Sequence, residues 1–431
     1  MARVVDPSKQ TQFSDAWVIL ALSLTAVGYL LRQPGLVLIA LFLLIVLPVA
    51  WLWNRLSLHK VEYRRILGER RAFVGETITL TLQVDNRKLL PISWLRVTDQ
   101  IPVEMDLAEV ALPPSYNPLY ANLNLLFSLR WFERVSQTYH LTCHRRGFYR
   151  LGPATLQSGD LFGLFEERRR EAEGDRLIVY PRVKRLDEWG LPPKEFLGET
   201  RTPLQIFEDP ARTLGVRDYH PGDGFRRIHW KATARRQQLQ SRLYEPSTTH
   251  KVLVVVNVAT FPRHWKGVDE ELLEEVISVA ASIATHAAER RCPVGLIANG
   301  SWPRSDQPIK VLPGRSPAQL TCVLEALAAV TPFATSTVDE LLASESPQLP
   351  WGATLVVVTG IVTPELTATL IHLKEVGRRV VLVSLAQDPP AWEELLGIPW
   401  YHLPRGKPAA KPLAEGDAVA GRAQDRLREV A

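Results

Sequence analysis

The hydrophobic and polar positions follow three rhythms along the chain, and each rhythm predicts a different architecture. Two runs without a charge open it, residues 16–31 (AWVILALSLTAVGYLL) and 36–53 (LVLIALFLLIVLPVAWLW), separated by Arg32-Gln-Pro-Gly35. Apolar on every face, and close to the ~20 residues of a spanning helix, they predict a two-helix transmembrane hairpin over 16–53 behind a short N-terminus, 1–15. A signal peptide and a buried core hairpin are the rivals, but a second apolar run follows at once, no small-residue cleavage site is evident, and both runs are apolar on all faces. Between 58 and 183 the pattern shortens to period two, as in Thr77-Ile-Thr-Leu-Thr-Leu-Gln-Val84. Further strands are predicted at 93–97, 123–132, 136–143, 148–151, 154–157 and 177–180, with a turn at Asp85-Asn86-Arg87, so this region reads as a β-sandwich-like domain. Gly152-Pro153 makes a turn, Asp160 and Gly163 a folded corner, and Phe162, Leu164 and Phe165 an apolar plug.

A proline-punctuated linker over 184–207 leads into the third rhythm, which fills 208–404. Lys251-Val-Leu-Val-Val-Val-Asn257 is the continuous β-branched run of a strand buried on both faces. A helix over 268–290 follows, then strand 294–298, helices 317–330 and 337–343, strand 353–359, helix 364–376, strand 380–385, helix 390–396 and a short strand at 400–403. Strands alternating with helices predict a parallel, doubly wound sheet. The tail, 405–431, is expected to fray.

Charge orients the hairpin. Arg55, Lys60, Arg64, Arg65, Arg70 and Arg71 follow the second run whereas the loop between the runs offers only Arg32, which places both ends and all later domains in the cytoplasm. The net charge of +5 over 431 residues is too small for a polycation. Three cysteines, Cys143, Cys292 and Cys322, show no ligand spacing and suit a reducing compartment.

Chemistry-bearing residues concentrate in 215–244, GVRDYHPGDGFRRIHWKATARRQQLQSRLY. Pro221-Gly222 suits a tight turn, and Asp223 suits the cap of a helix from Gly224 to about Arg236, on which Arg226 and Trp230 stack four residues apart. Asp218 and Asp223 can each pair with an arginine of the cluster. Elsewhere the strand ends carry no phosphate loop, nucleophile elbow, metalloprotease motif or paired carboxylates, and Asp269, Glu270, Glu271, Glu274 and Glu275 read as a solvated helix face. No catalytic residues, cofactor or metal are therefore assigned.

The spaced residues Gly215, Arg217, Tyr219, Pro221, Gly222, Asp223, Arg226, Ile228, Trp230, Lys231, Ala234 and Arg235 resemble the signature of the domain of unknown function 58 family. Arg146-Gly147, Gly152-Pro153, Asp160-x-Phe-Gly-Leu-Phe165, Val179-Tyr-Pro181 and the two-helix anchor are similar to the same family's preceding region. The resemblance implies an inner-membrane protein whose last domain is von Willebrand factor A-like. It further implies a MoxR-type AAA ATPase as partner, with transglutaminase-like membrane proteins as further associates. Metal-binding von Willebrand A domains use D-x-S-x-S after the first strand, where this chain has Asn257, Ala259 and Phe261, and its later acidic position matches Thr359, so the ligand set is degenerate.

Three readings of 215–244 stay open. In one, Tyr219, Ile228 and Trp230 pin a structural clamp. In another, Arg217, Arg226, Lys231 and Arg235 face an acidic protein, a phosphate or lipid headgroups. Nucleic acid is the third and is disfavoured, because no recognition motif accompanies the charge. The functional expectation is a membrane-anchored interaction or assembly protein; the alternative is a hydrolase or transferase acting on cell-envelope precursors.

Overall fold

The computed structural model describes residues 19, 22–27, 30–171, 174–192, 208–220, 228–246, 251–262, 267–303, 305–350, 352–389, 395 and 397–403. They form a mixed α/β, multi-sheet chain of two compact units, divided between Tyr180 and Pro181.

The first unit opens with α1 (Pro34–Ser57), 24 residues long and the one described helix long and apolar enough to cross a membrane. Its turns bury Ala40, Leu47 and Ala50 but leave Leu38, Phe42, Ile45, Val49 and Leu52 more than half exposed. Residues 22–27 of the first apolar run are helical too. At the C-terminal end of α1 the last carbonyls lack helical partners. Lys88 Nζ donates to the carbonyls of Leu56 and Ser57, and Arg169 donates to those of Leu58 (2.7 Å) and Val61 (2.5 Å).

Eleven strands follow: β1 (Val61–Leu67), β2 (Arg71–Phe73), β3 (Thr77–Asn86), β4 (Ile92–Pro102), β5 (Met105–Leu107), β6 (Tyr120–Leu129), β7 (Arg134–Cys143), β8 (Gly147–Leu151), β9 (Ala154–Gly159), β10 (Glu166–Glu171) and β11 (Asp175–Tyr180). They pair as two four-stranded sheets, β1-β3-β7-β5 and β10-β9-β4-β6, with a three-stranded sheet β2-β11-β8. Alternation explains the pairing. Ile78, Leu80, Leu82 and Val84 of β3 join Leu95 and Val97 of β4 and Leu123, Phe127 and Leu129 of β6 in one shared core. The outward threonines of β3 face those of β7, Thr77 to Thr142 at 3.1 Å and Thr81 to Thr138 at 3.0 Å.

Three local expectations change. The turn predicted at Asp85-Asn86-Arg87 is displaced, because β3 continues through Asn86. Asp85 is held by two hydrogen bonds from Arg134, and the Asn86 amide donates to Leu90 and Arg130 carbonyls, so both side chains prolong the strand. The predicted plug reduces to Phe165, buried beneath an Asp160 carboxylate that accepts the N–H groups of Phe162 (2.8 Å) and Phe165 (2.7 Å), while Phe162 is 58% exposed. Arg65, counted among the flanking cations, is buried. Its guanidinium lies 3.4 Å from Asp99, which also accepts the Tyr63 hydroxyl at 2.6 Å. Burial pushes the Asp99 carboxyl above its ordinary range against the opposing pull of Arg65.

In the second unit a six-stranded sheet has the order β16-β15-β14-β17-β18-β19. Its strands are β14 (Lys251–Asn257), β15 (Val294–Ser301), β16 (Pro308–Gly314), β17 (Ala353–Thr359), β18 (Arg379–Ser384) and β19 (Trp400–His402). Every pairing is parallel except that of β16, an antiparallel edge strand missed in the pattern because Pro308 and Pro313 interrupt it. Helices α3 (Glu270–Glu289), α4 (Gln319–Ala329), α5 (Val338–Glu345) and α6 (Pro364–Glu375) alternate with these strands, close to their predicted bounds. The helix predicted at 390–396 falls almost wholly outside the described residues. Before the sheet, β12 (Glu208–Asp218) and β13 (Gln240–Pro246) form a separate hairpin carrying α2 (Trp230–Arg236).

Candidate functional site

The hairpin is built by backbone pairing. Val216, Arg217 and Asp218 lie opposite Arg242, Ser241 and Gln240, and the ladder extends through the Tyr219 N–H to the Leu239 carbonyl (2.9 Å) and the His229 N–H to the Gln240 carbonyl (2.8 Å). Ile228, 3% exposed, bridges Ser241. That extended pairing is incompatible with helical backbone at Ile228, so the helix predicted from Gly224 begins only at Trp230. Its cap is His229, whose Nδ1 accepts the Ala232 N–H at 3.1 Å. The helix ends at Gln237 in the left-handed region (φ 53°), with its N–H on the Thr233 carbonyl. Thr233 Oγ1 then accepts the Gln240 N–H at 3.0 Å, tying helix to strand.

The side chains divide sharply. Gln240 and Ser241 are fully buried, and the Gln240 amide donates to Asp218 at 2.6 Å. No residue of α2 is buried: Trp230 is 67% exposed, and Lys231, Arg235 and Arg236 are exposed with it. Arg217 and Arg242 are exposed on the strands, and Tyr219 and Gly215 are half-buried. A methyl at Gly215 would meet nothing within 4 Å, so space does not demand that glycine. Of the residues expected to pin a clamp, Ile228 is buried, Tyr219 is half-buried and Trp230 faces outward. Pro221, Gly222, Asp223 and Arg226 themselves lie outside the described residues.

A second cluster sits at the carboxyl ends of β14, β15 and β17, where the strand order reverses and open α/β sheets commonly bind ligands. Asn257 Nδ2 donates to Thr359 Oγ1 at 3.0 Å, and Asn257 Oδ1 accepts Asn299 Nδ2 and the Ala259 N–H, both at 3.1 Å. Asn299 Oδ1 accepts the Val258 N–H at 2.8 Å, and its amide also donates to the Ser336 carbonyl at 3.1 Å. Thr359 donates to the Ile361 carbonyl at 2.5 Å. Asn257, Asn299 and Thr359 are buried, whereas Phe261 is 36% exposed and Ala259 half-buried. A hard divalent cation wants anionic oxygens, and here neutral amide and hydroxyl oxygens are already engaged with one another. The cluster therefore does not fit the metal that the D-x-S-x-S pattern holds. Among the described residues no three His, Cys, Asp or Glu side chains converge as ligands. Asn299 was missed in the sequence; its signal is an Asn-Gly pair ending the apolar run of β15, with Gly300 required because a Cβ would approach the Thr331 carbonyl to 2.7 Å.

Residues 215–395 match the model of a family described as protein of unknown function DUF58. The uncharacterized protein YeaD of Bacillus subtilis (strain 168) is 26% identical over 385 residues, covering 87% of this chain and 88% of that one. Among solved structures, a β-glucosidase from Listeria innocua in complex with gluconolactone shares 13% identity at a TM-score of 0.17, over 28% of this chain. The match spans only 16% of that enzyme's length. A type I cohesin from Pseudobacteroides cellulosolvens shares 10% identity at a TM-score of 0.19, over 28% of this chain and 94% of the cohesin. Likenesses this partial carry no argument about function.

Proposed function

We propose that this chain is a membrane-anchored interaction protein whose hairpin over β12, α2 and β13 docks an acidic surface of a partner, and that the partner is a MoxR-type AAA ATPase. The observation that carries the docking reading is Trp230, 67% exposed on a helix with no buried residue and flanked by exposed Lys231, Arg235 and Arg236. Within its own fold that indole gains little burial, whereas tryptophan beside arginine is the composition of interface hot spots. The ATPase as partner rests on the family resemblance of residues 215–235. The strand order with an antiparallel third strand supports a von Willebrand A-like domain, here with an amide network where the metal would sit. The apolar exterior of α1 supports anchoring, and the second span and the cytoplasmic placement follow from the first apolar run and the flanking cations.

Capture of a MoxR-type AAA ATPase by the full-length detergent-solubilised protein tests this. Trp230→Ala, and separately Lys231→Glu with Arg235→Glu, are expected to weaken capture by roughly tenfold or more while leaving the unfolding midpoint in place. An empty wild-type eluate sinks the ATPase reading, and unchanged capture by both variants sinks the hairpin as its docking surface.

A further inference from the structure

At the C-terminal end of α1, two loops of the β-rich unit converge. Lys88, in the loop between β3 and β4, donates to the Leu56 and Ser57 carbonyls of the last helical turn. The neighbouring Arg87 N–H bonds the Lys60 carbonyl at 3.0 Å, and the Phe132 N–H, in the turn between β6 and β7, bonds the Lys88 carbonyl at 3.2 Å. Asn86 fastens the two loops together through the Leu90 and Arg130 carbonyls. The helix end and both loop tips are thus one hydrogen-bonded assembly, at one level along α1.

The tips carry the wrong residues for water. Leu89 is 76% exposed, Trp131 64% and Phe132 65%, in turns that polar residues ordinarily fill. Phe132 also holds φ at 49°, a left-handed conformation uncommon for a bulky side chain. Exposed Arg55, Lys60 and Arg130 lie at the helix end and on the loops, and Arg87 beside them pairs with Glu62 and Asp85. Tryptophan and phenylalanine among cations, level with the end of an apolar helix, is the composition of a membrane–water interface.

We propose that the β-rich unit rests on the lipid surface beside α1 through this loop pair, with Leu89, Trp131 and Phe132 entering the interfacial layer and the surrounding cations meeting lipid phosphates. The occupant is the bilayer that α1 enters, because the loops are bonded directly to the helix end. The proposal rests on membrane anchoring by α1 but not on which side of the membrane the unit lies. It converts a tethered unit into an oriented one.

The test uses the full chain in liposomes of phosphatidylethanolamine and phosphatidylglycerol, with the accessible thiols Cys292 and Cys322 replaced by serine. An environment-sensitive fluorophore is placed in turn on Leu89→Cys, on Leu119→Cys and on Leu41→Cys. Leu119 is 64% exposed but lies at the far end of β6, about 30 Å from the aromatic turn at the usual rise of a strand. Lipids carrying a nitroxide near the headgroup are expected to quench the Leu89 probe by roughly half or more and to leave the Leu119 probe bright. Adding Trp131→Ser and Phe132→Ser is expected to remove most of the Leu89 quenching. Quenching by mid-chain nitroxides at Leu41 but none at Leu89 overturns the proposal while leaving the anchor intact. A Leu41 probe untouched by lipid overturns the anchor and this inference with it. Equal quenching at Leu89 and Leu119, or quenching at Leu89 that survives loss of both aromatics, also overturns it.

Discussion

Asn299 shows how much one uncharged residue can hold. Its side chain satisfies the Val258 N–H and the Asn257 oxygen, at the end of buried β14, and the Ser336 carbonyl, in the loop before α5. Removing a partner leaves buried polar groups unsatisfied at about 1–3 kcal/mol each, so Asn299→Ala is expected to lower unfolding free energy by about 2–4 kcal/mol, measured by urea denaturation. A loss under about 0.5 kcal/mol would show that water replaces the amide without penalty. Asp85 makes the complementary case with charge. Hydrogen bonds from Arg134 hold its carboxyl below the usual carboxylate range despite burial. The unfolded chain then binds that proton more readily than the folded one. The pair's contribution is therefore present above the unfolded carboxylate value and is lost as pH falls through the lowered folded one. Asp85→Asn is expected to flatten the acid limb of a stability profile between pH 7 and 2, and curves that stay parallel would count against the pairing.

At the scale of elements, the β12–α2–β13 hairpin is held by backbone bonds, and among its residues of described burial the apolar anchor is Ile228. Helix α2 is seven residues long, too short to persist by its own propensity, so its order depends on the His229 cap and the tie from Thr233 to Gln240. Ile228→Ser is expected to raise the rate of limited proteolysis in 228–246 several-fold without shifting the main unfolding transition, because local opening there is separate from the sheet. Loss of the whole transition would mean that the hairpin is integral to the α/β unit. Helix α1 presents the opposite balance, with its exposed Leu38, Phe42 and Ile45 offering an apolar exterior that only a lipid or a partner helix can cover.

On the scale of the whole molecule, orientation rests on fewer charges than the sequence suggests. Arg65 is taken up by Asp99 inside the β-rich core, leaving Arg55, Lys60, Arg64, Arg70 and Arg71 to set the bias. These five still outnumber Arg32, so a fluorescent-protein fusion after residue 60 is expected to glow and an alkaline-phosphatase fusion at the same point to stay inactive. Phosphatase activity there would reverse the topology. The +5 net charge matters less than its local placement, on the hairpin of one unit and at the foot of the helix in the other.

Period was legible in the residues themselves. Thr77 to Val84 alternates because one face of β3 meets the core, and Val252 to Val256 does not because both faces of β14 are covered; local chemistry alone dictates both. Strands β1 and β10 were not legible, since Arg64, Arg65 and the run Glu166 to Glu171 are polar along their length and become strands only through pairing with β3 and β9. The residues of the signature stretch and of the degenerate metal positions were likewise visible in the sequence, but their environments were not. Whether Trp230 pins or protrudes, whether Arg65 meets lipid or Asp99, and whether Asn257 finds Asn299 depends on partners distant in the chain. Composition and period therefore determined the apolar-patterned elements, whereas long-range pairing made strands of polar stretches such as β10 and decided which polar and aromatic side chains are used up inside the fold and which are left to meet something else.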